Sequence, residues 1–155
     1  MRKNGSKNVV YFDESGFVHH THRPHAWALR GKQVFDNIIG NNRKKTNLIM
    51  AQRGKEWLAP MLFESSCTHH TVTTWVDKCL LNELNPNSLI IMDNAPVHNK
   101  TKIRQILERH GHSLLPLPTY SPDFNPIEQA FAILKKRRIF SGLSLEQILS
   151  NSYLE

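Results

Sequence analysis

The chain has 155 residues, about the length of one domain, and 39% of them are apolar. Twenty Lys and Arg stand against thirteen Asp and Glu, which gives a formal charge of +7. This composition excludes a disordered tail, a collagen-like repeat and a disulfide mini-protein, and it favours a polyanionic partner, with nucleic acid the first candidate. Cys67 and Cys79 lack C-x-x-C spacing, and no apolar run suits a membrane span or a signal peptide, so we expect reduced thiols in a soluble cytoplasmic protein.

The first third of the chain predicts three strands. Residues 8–13 are β-branched and aromatic, and they end at an acid followed by a Ser-Gly pair. Residues 46–51 and 57–63 form two more apolar runs. The polar break at 52–56 between those runs contains a glycine, which is typical of a hairpin.

From Thr68 onward helical patterns alternate with strands. Apolar residues recur at three- and four-residue steps from Val72 to Leu84. After that helix the pattern predicts a buried strand at 88–93, a helix at 100–110, a short strand at 112–117 and a last helix that opens at Asn125-Pro126. Hairpins first and helix crossovers later predict one α/β domain over residues 1–155, with a mixed sheet and helices on both faces.

Three acids are candidates for a functional site. Asp13 and Asp93 end the two most strand-like runs, where α/β folds bind ligands, although an acid there also marks the exit of a strand to solvent. Glu128 has two interpretations. It stands at the third helical position after Asn125 and Pro126, where it completes a capping box, or it faces the same site. The spacing leaves both open.

Converging carboxylates predict a metal site. Three of them close together repel one another and raise their own pKa values. Divalent cations relieve that repulsion, and oxygen ligands favour Mg²⁺ or Mn²⁺ over zinc. Two such ions about 4 Å apart activate an attacking hydroxyl and stabilise the leaving oxygen in phosphodiester cleavage. A metal-dependent enzyme acting on nucleic acid then explains the basic charge and the acids together.

Three segments carry a family resemblance. They read Phe-Asp-Glu-Ser-Gly-Phe at residues 12–17, Met-Asp-Asn-Ala-Pro-Val-His at 92–98 and Tyr-Ser-Pro-Asp-Phe-Asn-Pro-Ile-Glu at 120–128. These segments resemble the acidic motifs of mariner-like insertion-sequence transposases of the DDE group, and the 34 residues between Asp93 and Glu128 are the interval usual in that group. Weaker matches at 27–31 and 60–64 extend the resemblance over residues 9–140.

The resemblance implies an RNase H-like catalytic domain in which Asp13, Asp93 and Glu128 bind two Mg²⁺ or Mn²⁺ ions. It implies a DNA endonuclease and strand transferase that cuts at terminal inverted repeats and joins the 3′ ends to target DNA. Such an enzyme acts as a homo-oligomer on paired ends, at the nucleoid of a bacterial cell. Glu14 and Asp123 lie in the motifs but outside the catalytic positions, so substitutions there are expected to do less damage.

Basic residues are candidates for phosphate contact, although short charge runs are more often solvated faces. His98, inside the second motif, suits either a scissile phosphate or the cap of the next helix. The histidine-rich residues 19–25 lack the partners of a zinc site and are expected to be a basic loop near substrate. With His98, the expected DNA contacts are Arg30, Arg43, Lys44, Lys45, Lys135, Lys136, Arg137 and Arg138.

The first predicted strand begins near residue 8, which leaves no room for the N-terminal helix-turn-helix region of such transposases. We therefore expect a catalytic fragment, a split-frame product with a separate helix-turn-helix partner chain, or a decayed copy. Each would bind DNA weakly and without sequence specificity. The competing hypothesis is a catalytically silent DNA-binding or assembly module descended from such an enzyme, and the presence of all three acids favours the enzyme.

Overall fold

The computed structural model describes residues 8–18, 45–96, 98–119 and 125–152. For residues 151 and 152 it describes the backbone alone. Its strands are β1 (Val9–Val18), β2 (Lys45–Arg53), β3 (Glu56–Phe63), β4 (Leu89–Met92) and β5 (Ser113–Pro116). They form one sheet in the order β3-β2-β1-β4-β5. β1, β2 and β3 are antiparallel neighbours, whereas β4 and β5 run parallel to β1. The predicted mixed sheet is confirmed.

The helices of this part of the chain are α1 (His69–Lys78), α2 (Lys100–Arg109), α3 (Ile127–Ser141) and α4 (Leu145–Ser152). A short 3₁₀ helix, Leu80–Glu83, lies between α1 and β4. Among the described residues, no helix combines the length and the apolar character needed to cross a membrane.

Two hydrophobic cores lie on opposite faces of the sheet, because successive strand side chains point to opposite sides. Phe12 belongs to the core formed with α1 and α2. Tyr11 and Phe17 pack in the core formed with α3 and α4. Helices therefore cover both faces, as predicted, and the same alternation directs Asp13 to the α3 face and Glu14 to the α1–α2 face.

β1 continues past the acid at which the sequence predicts its end. Its ladder with β2 runs from Tyr11 to Val18, and Gly16 lies opposite Asn47 within the ladder rather than in a turn. The side chain of Lys45 occupies the space that a Cβ at Gly16 would fill. The strand extends because β2 supplies its backbone partners and because glycine leaves room for the lysine stem.

The predicted β2–β3 hairpin is confirmed and is followed by a bulge. Arg53 pairs with Glu56 at 3.0 Å across a turn in which Gly54 has a φ of 59°. Further along β3, Ala59 adopts a φ of 48°, and its carbonyl accepts the indole N–H of Trp75 at 2.8 Å. The irregular backbone of the bulge thus partners the largest buried side chain of α1.

α4 is absent from the sequence-based prediction. Gly142, with a φ of 68°, ends α3. Ser144 and Gln147 then form a reciprocal capping box, with hydrogen bonds of 3.0 and 3.3 Å. The following turns bury one face in the α3 core through Leu145, Ile148 and Leu149. The Ser-x-x-Gln spacing before an apolar pattern is the local signal that predicts this helix.

Candidate active site

Asp13 and Asp93 lie side by side at the end of the parallel pairing between β1 and β4. The ladder joins Tyr11 to Ile91, and two residues further along each strand lead to the two aspartates. β4 stops at Met92, so Asp93 stands at its carboxyl end, whereas Asp13 is internal to the longer β1. The structure therefore brings together two of the three acids that the sequence singles out.

Glu128 lies in the first turn of α3, the helix that packs on the Asp13 face of the sheet. Pro126 holds the cap position and makes no side-chain hydrogen bond to the helix, while Asn125 Oδ1 accepts the Ile127 N–H at 3.3 Å. The capping box that competed for Glu128 is therefore not formed. Glu128 is exposed, and its charge acts on Asp13.

Asp13 shows most clearly that these acids share a site. Burial, followed by the charges of Glu14, Asp93 and Glu128, raises the pKa of its carboxyl from 3.8 to about 7. The Glu14 backbone N–H, which donates to Asp13 Oδ1 at 2.8 Å, opposes that shift. Without a counter-charge, Asp13 is therefore close to half protonated at neutral pH.

His98 is buried between two acids. Its side chain is 1% exposed, and its Nε2 lies 3.2 Å from Glu14 Oε1 and 3.4 Å from Asp93 Oδ1. Asn99, and not His98, caps α2, because Asn99 Oδ1 accepts the Lys102 N–H at 3.1 Å. The helix cap predicted for His98 is wrong, because the neighbouring residue is the cap. The predicted phosphate contact stays a prediction, for a ring that is buried in this structure.

Positive charge keeps Asp93 ionised. Burial lowers the pKa of the His98 ring, but the Asp93 and Glu14 carboxylates outweigh burial and raise that pKa to about 9. In turn His98 holds the pKa of Asp93 below its usual value against the effect of burial, helped by the Ala95 N–H and by Lys100. The Lys100 Nζ donates to the Ala95 carbonyl at 3.2 Å, which keeps the ammonium beside this loop.

Glu14 and Lys100 are members of this site that the sequence reasoning missed. Strand alternation directs Glu14 to the face opposite Asp13, and its contact with His98 and the effect of its charge on Asp13 make it part of the site. Lys100, in the first turn of α2, approaches Asp93 because the intervening loop folds back. Neither contact has a local signal in the sequence.

The carboxylates suit a hard divalent cation in both chemistry and charge. They raise the pKa of Asp13 together with burial, and oxygen ligands are those that Mg²⁺ and Mn²⁺ prefer. As the side chains stand, no three His, Cys, Asp or Glu residues within the described ranges are close enough to hold one ion together. Glu128 thus shares the electrostatic environment of the aspartates without completing a preformed site.

A polar cavity of about 460 Å³ adjoins Glu14 on the α1–α2 side of the sheet. Lys45 and Glu14 line it, together with Glu64 and Cys67. Burial, and then the charges of Glu14 and Asp13, raises the pKa of the Cys67 thiol to about 11. Lys45 and Glu14 therefore line the same cavity on this side of the sheet.

The basic cluster of α3 approaches from the other side. Lys135 lies seven residues, or about 10 Å, beyond Glu128 along the helix, and its Nζ is 5.5 Å from the centre of the Phe17 ring. Lys136 and Arg137 are exposed and Arg138 is half-buried. Of the other residues predicted to contact DNA, Arg30, Arg43 and Lys44 lie outside the described residues, as does the stretch 19–25.

Comparison with solved structures gives the fold class. Similar folds occur in the crystal structure of the Mos1 strand transfer complex (22% identity, 83% of this chain and 40% of that chain, TM-score 0.65). The catalytic domain of Mos1 mariner transposase is also similar (20% identity, 85% and 60% covered, TM-score 0.59). A cryoEM structure of a simian T-cell lymphotropic virus intasome with the PP2A regulatory subunit B56 gamma is a third (13% identity, 94% and 46% covered, TM-score 0.60). The protein has the RNase H-like fold of these catalytic domains.

The family follows from the sequence. Residues 8–146 match the model of the DDE superfamily endonucleases. The chain belongs to that family, and the predicted family resemblance is confirmed. No curated protein matches the sequence significantly. The chain spans 40% of the length of the Mos1 chain in the strand transfer complex and 43% of its length in a paired-end complex with the left transposon end.

Proposed function

We propose that this chain is the catalytic part of a DDE transposase, a divalent-metal-dependent DNA endonuclease and strand transferase. It cuts DNA at terminal inverted repeats and joins the 3′ ends to target DNA. The observation that carries the proposal is the convergence of Asp13, Asp93 and the first turn of α3 in a chain of the DDE superfamily endonucleases. We assign two Mg²⁺ or Mn²⁺ ions to Asp13, Asp93 and Glu128.

The similar Mos1 structures support the cofactor and the partner. They include a paired end complex with Mn and another with Mg, which favours a divalent metal for this chain. A strand transfer complex and a pre-cleavage transpososome favour paired DNA ends and an oligomer of the chain on them. Recognition of the inverted repeats is assigned to a helix-turn-helix region, on a separate partner chain if the reading frame is split. The site of action is then nucleoid DNA in a bacterial cytoplasm.

The residues of the candidate site have separate tasks in the proposed reaction. Divalent cations at such a site activate the attacking hydroxyl and stabilise the leaving oxygen. His98 and Lys100 keep Asp93 ionised for that site, and Asp13 gives up its proton when positive charge arrives. Lys45, in the cavity beside Glu14, and Lys135, over Phe17 on the α3 face, are assigned to the phosphates of the strand being cut.

The remaining DNA contacts are assigned to the other basic residues of the two clusters. Lys136, Arg137 and Arg138 continue the α3 surface, and Arg30, Arg43 and Lys44 are carried over from the sequence prediction. Such contacts hold the backbone and carry no sequence information.

The test incubates the chain with terminal-repeat DNA and Mn²⁺ and compares it with Asp93→Asn. We expect nicking by the wild type and none by the variant, because the variant loses a carboxylate at nearly constant size. Lys55→Gln, in the exposed β2–β3 turn, is a control that removes charge far from the acids. DNA binding without nicking under any divalent metal would instead favour a silent DNA-binding or assembly module.

A further inference from the structure

We propose that His98 is a positioning residue that, held by Glu14, fixes the Asp93 carboxylate where Asp93 and Asp13 can share a divalent cation. The inference rests on the proposed function and deepens it, since it assigns a role to two residues beyond the three acids. It concerns the residues behind the acids rather than those that face DNA.

The geometry of His98 suits this role. The imidazole is 1% exposed and has Glu14 Oε1 and Asp93 Oδ1 within 3.4 Å of a single nitrogen, Nε2. The Asp93 side chain is 44% exposed, so its carboxylate is held on one side and open on the other. A carboxylate that is held on one side has few orientations available. Residues that restrict a metal ligand in this way increase the affinity of the site for the metal.

His98 also links two strands where the backbone does not. The recorded β1–β4 pairing covers Val9 to Tyr11 of β1 and stops before Asp13. Glu14 belongs to β1 and Asp93 follows β4, so the His98 contacts join the two strands at the level of the acids. Without this link the spacing between Asp13 and Asp93 depends on two chain segments that have no backbone hydrogen bond to each other there.

Packing alone does not explain this cluster. Glu14 Oε2 and both His98 ring nitrogens are buried without an aligned hydrogen bond, although Nε2 is close to two carboxylates. Buried polar groups left partly unsatisfied destabilise a fold, and an apolar side chain would fill the same space at lower cost. The cluster is therefore better explained by the orientation that it imposes on Asp93.

The experiment measures binding of MnCl₂ alone by isothermal titration calorimetry, with melting temperatures in EDTA as a check on folding. His98→Ala is expected to weaken Mn²⁺ binding about tenfold or more, the usual effect of removing a group that orients a metal ligand. His98→Gln puts an N–H donor near the position of Nε2 and is expected to keep most of the affinity. Glu14→Gln is expected to weaken Mn²⁺ binding by a smaller factor. If His98→Ala does not fold, the Mn²⁺ affinity of Glu14→Gln tests the positioning role instead.

A second buried histidine provides the matched control. The ring of His112 accepts the Ser88 backbone N–H at 3.2 Å, at the opposite end of β4 from Asp93. His112→Gln is expected to leave the Mn²⁺ affinity unchanged, even where it lowers the melting temperature. Asp93→Asn and Asp13→Asn are expected to abolish binding.

Three results would overturn the proposal, and they separate it from the proposed function. Unchanged Mn²⁺ affinity in His98→Ala, with binding lost in Asp93→Asn, rejects the positioning role and leaves the proposed metal site in place. Equal losses in His98→Ala and His98→Gln point to packing and reject that role too. Wild-type affinity in Asp93→Asn and Asp13→Asn rejects the metal site itself and, with it, the role of His98.

Discussion

Asp13 and Asp93 face each other across β1 and β4, two residues beyond the last backbone pair recorded between those strands. On one side of this pair His98 and Lys100 supply positive charge to Asp93. Asp13 has no such partner in the described structure, and its neighbours are acids. The two carboxylates are therefore unequal, and this inequality is measurable without any catalytic assay.

The first prediction concerns Asp13→Asn in the metal-free protein. The pKa of Asp13 is about 7 in the folded chain, above its ordinary value of 3.8, so the folded state binds this proton more tightly than the unfolded state. Its contribution to stability is full below pH 4 and is lost as the pH rises through 7. At pH 8 in EDTA, Asp13→Asn is expected to raise the free energy of unfolding by about 4 kcal/mol, measured by urea denaturation.

An exposed acid serves as the control for that measurement. Asp77→Asn on α1 removes a carboxylate that lies beside Lys78, and it is expected to change stability by less than about 1 kcal/mol at either pH. A wild-type stability that stays constant between pH 4 and 7, or equal stabilities of wild type and Asp13→Asn at pH 8, would contradict the prediction.

The second prediction concerns His98 at higher pH. The pKa of its ring is about 9 in the folded chain against an ordinary value of 6.5, so its stabilising contribution is complete below 6.5 and disappears as the pH rises through 9. Urea denaturation in EDTA is expected to show a further fall in stability between pH 6.5 and 9, and His98→Gln is expected to abolish that fall.

His112 gives the opposite sign and is therefore an internal comparison. Burial, and then His110, lowers the pKa of His112, so its contribution is present above pH 6.5 and is lost as the pH falls. His112→Gln is expected to alter the pH dependence below 6.5 and to leave the fall between 6.5 and 9 in place. If His98→Gln and His112→Gln changed the pH dependence of stability in the same way, the fall between pH 6.5 and 9 could not be assigned to His98.

The third prediction concerns Gly16→Ala. The added Cβ overlaps the distal part of the Lys45 side chain, which is flexible, so the lysine moves and the strand stays. We expect stability to change by less than about 1 kcal/mol. DNA binding is expected to weaken as in Lys45→Ala, with the salt dependence reduced by about one phosphate contact in both variants.

A double variant tests whether the glycine acts through the lysine. Gly16→Ala combined with Lys45→Ala is expected to bind DNA as Lys45→Ala does. An additional loss in the double variant, or wild-type binding by Gly16→Ala, would show that Gly16 does not act by placing Lys45.

The fourth prediction concerns the basic surface of α3. Lys135→Gln and Lys136→Gln are each expected to lower the slope of log K against log salt by about one unit, measured by fluorescence anisotropy with any DNA duplex. The loss of the Lys135 contact with Phe17 lowers stability by about 1 kcal/mol or less. Unchanged slopes in these variants, as expected for the control Lys55→Gln, would remove α3 from the DNA surface.

Local patterns were sufficient for most of the fold. The Gly54 turn, the helical spacing around Trp75 and the apolar run of β4 each predict the element that the structure contains. The extension of β1 beyond Asp13 was not predictable in this way. It depends on pairing with β2, which begins 27 residues after β1 ends, and on a lysine from that strand lying over Gly16.

The candidate site was also predictable only where local sequence determines it. The apolar runs that lead to Asp13 and to Asp93 are enough to expect the two acids at one edge of the sheet, and the runs prove to be neighbouring parallel strands. The contacts of His98 are not predictable in this way, because they require the loop after β4 to return the ring to a position between Asp93 and Glu14. The motif left His98 open to a phosphate contact or a helix cap, and its burial between two carboxylates is visible only in the folded chain.

The two edges of the described sheet have a consequence for assembly. β3 forms one edge and carries the bulge at Ala59 followed by Pro60, which has no N–H to donate. β5 forms the other edge and is only four residues long, ending at Pro116. Neither offers a long row of free backbone groups to an incoming strand. If copies of the chain assemble on DNA as proposed, we expect the described strands to leave that contact to helices and loops, and the same short or interrupted edges disfavour the stacking of strands into fibres.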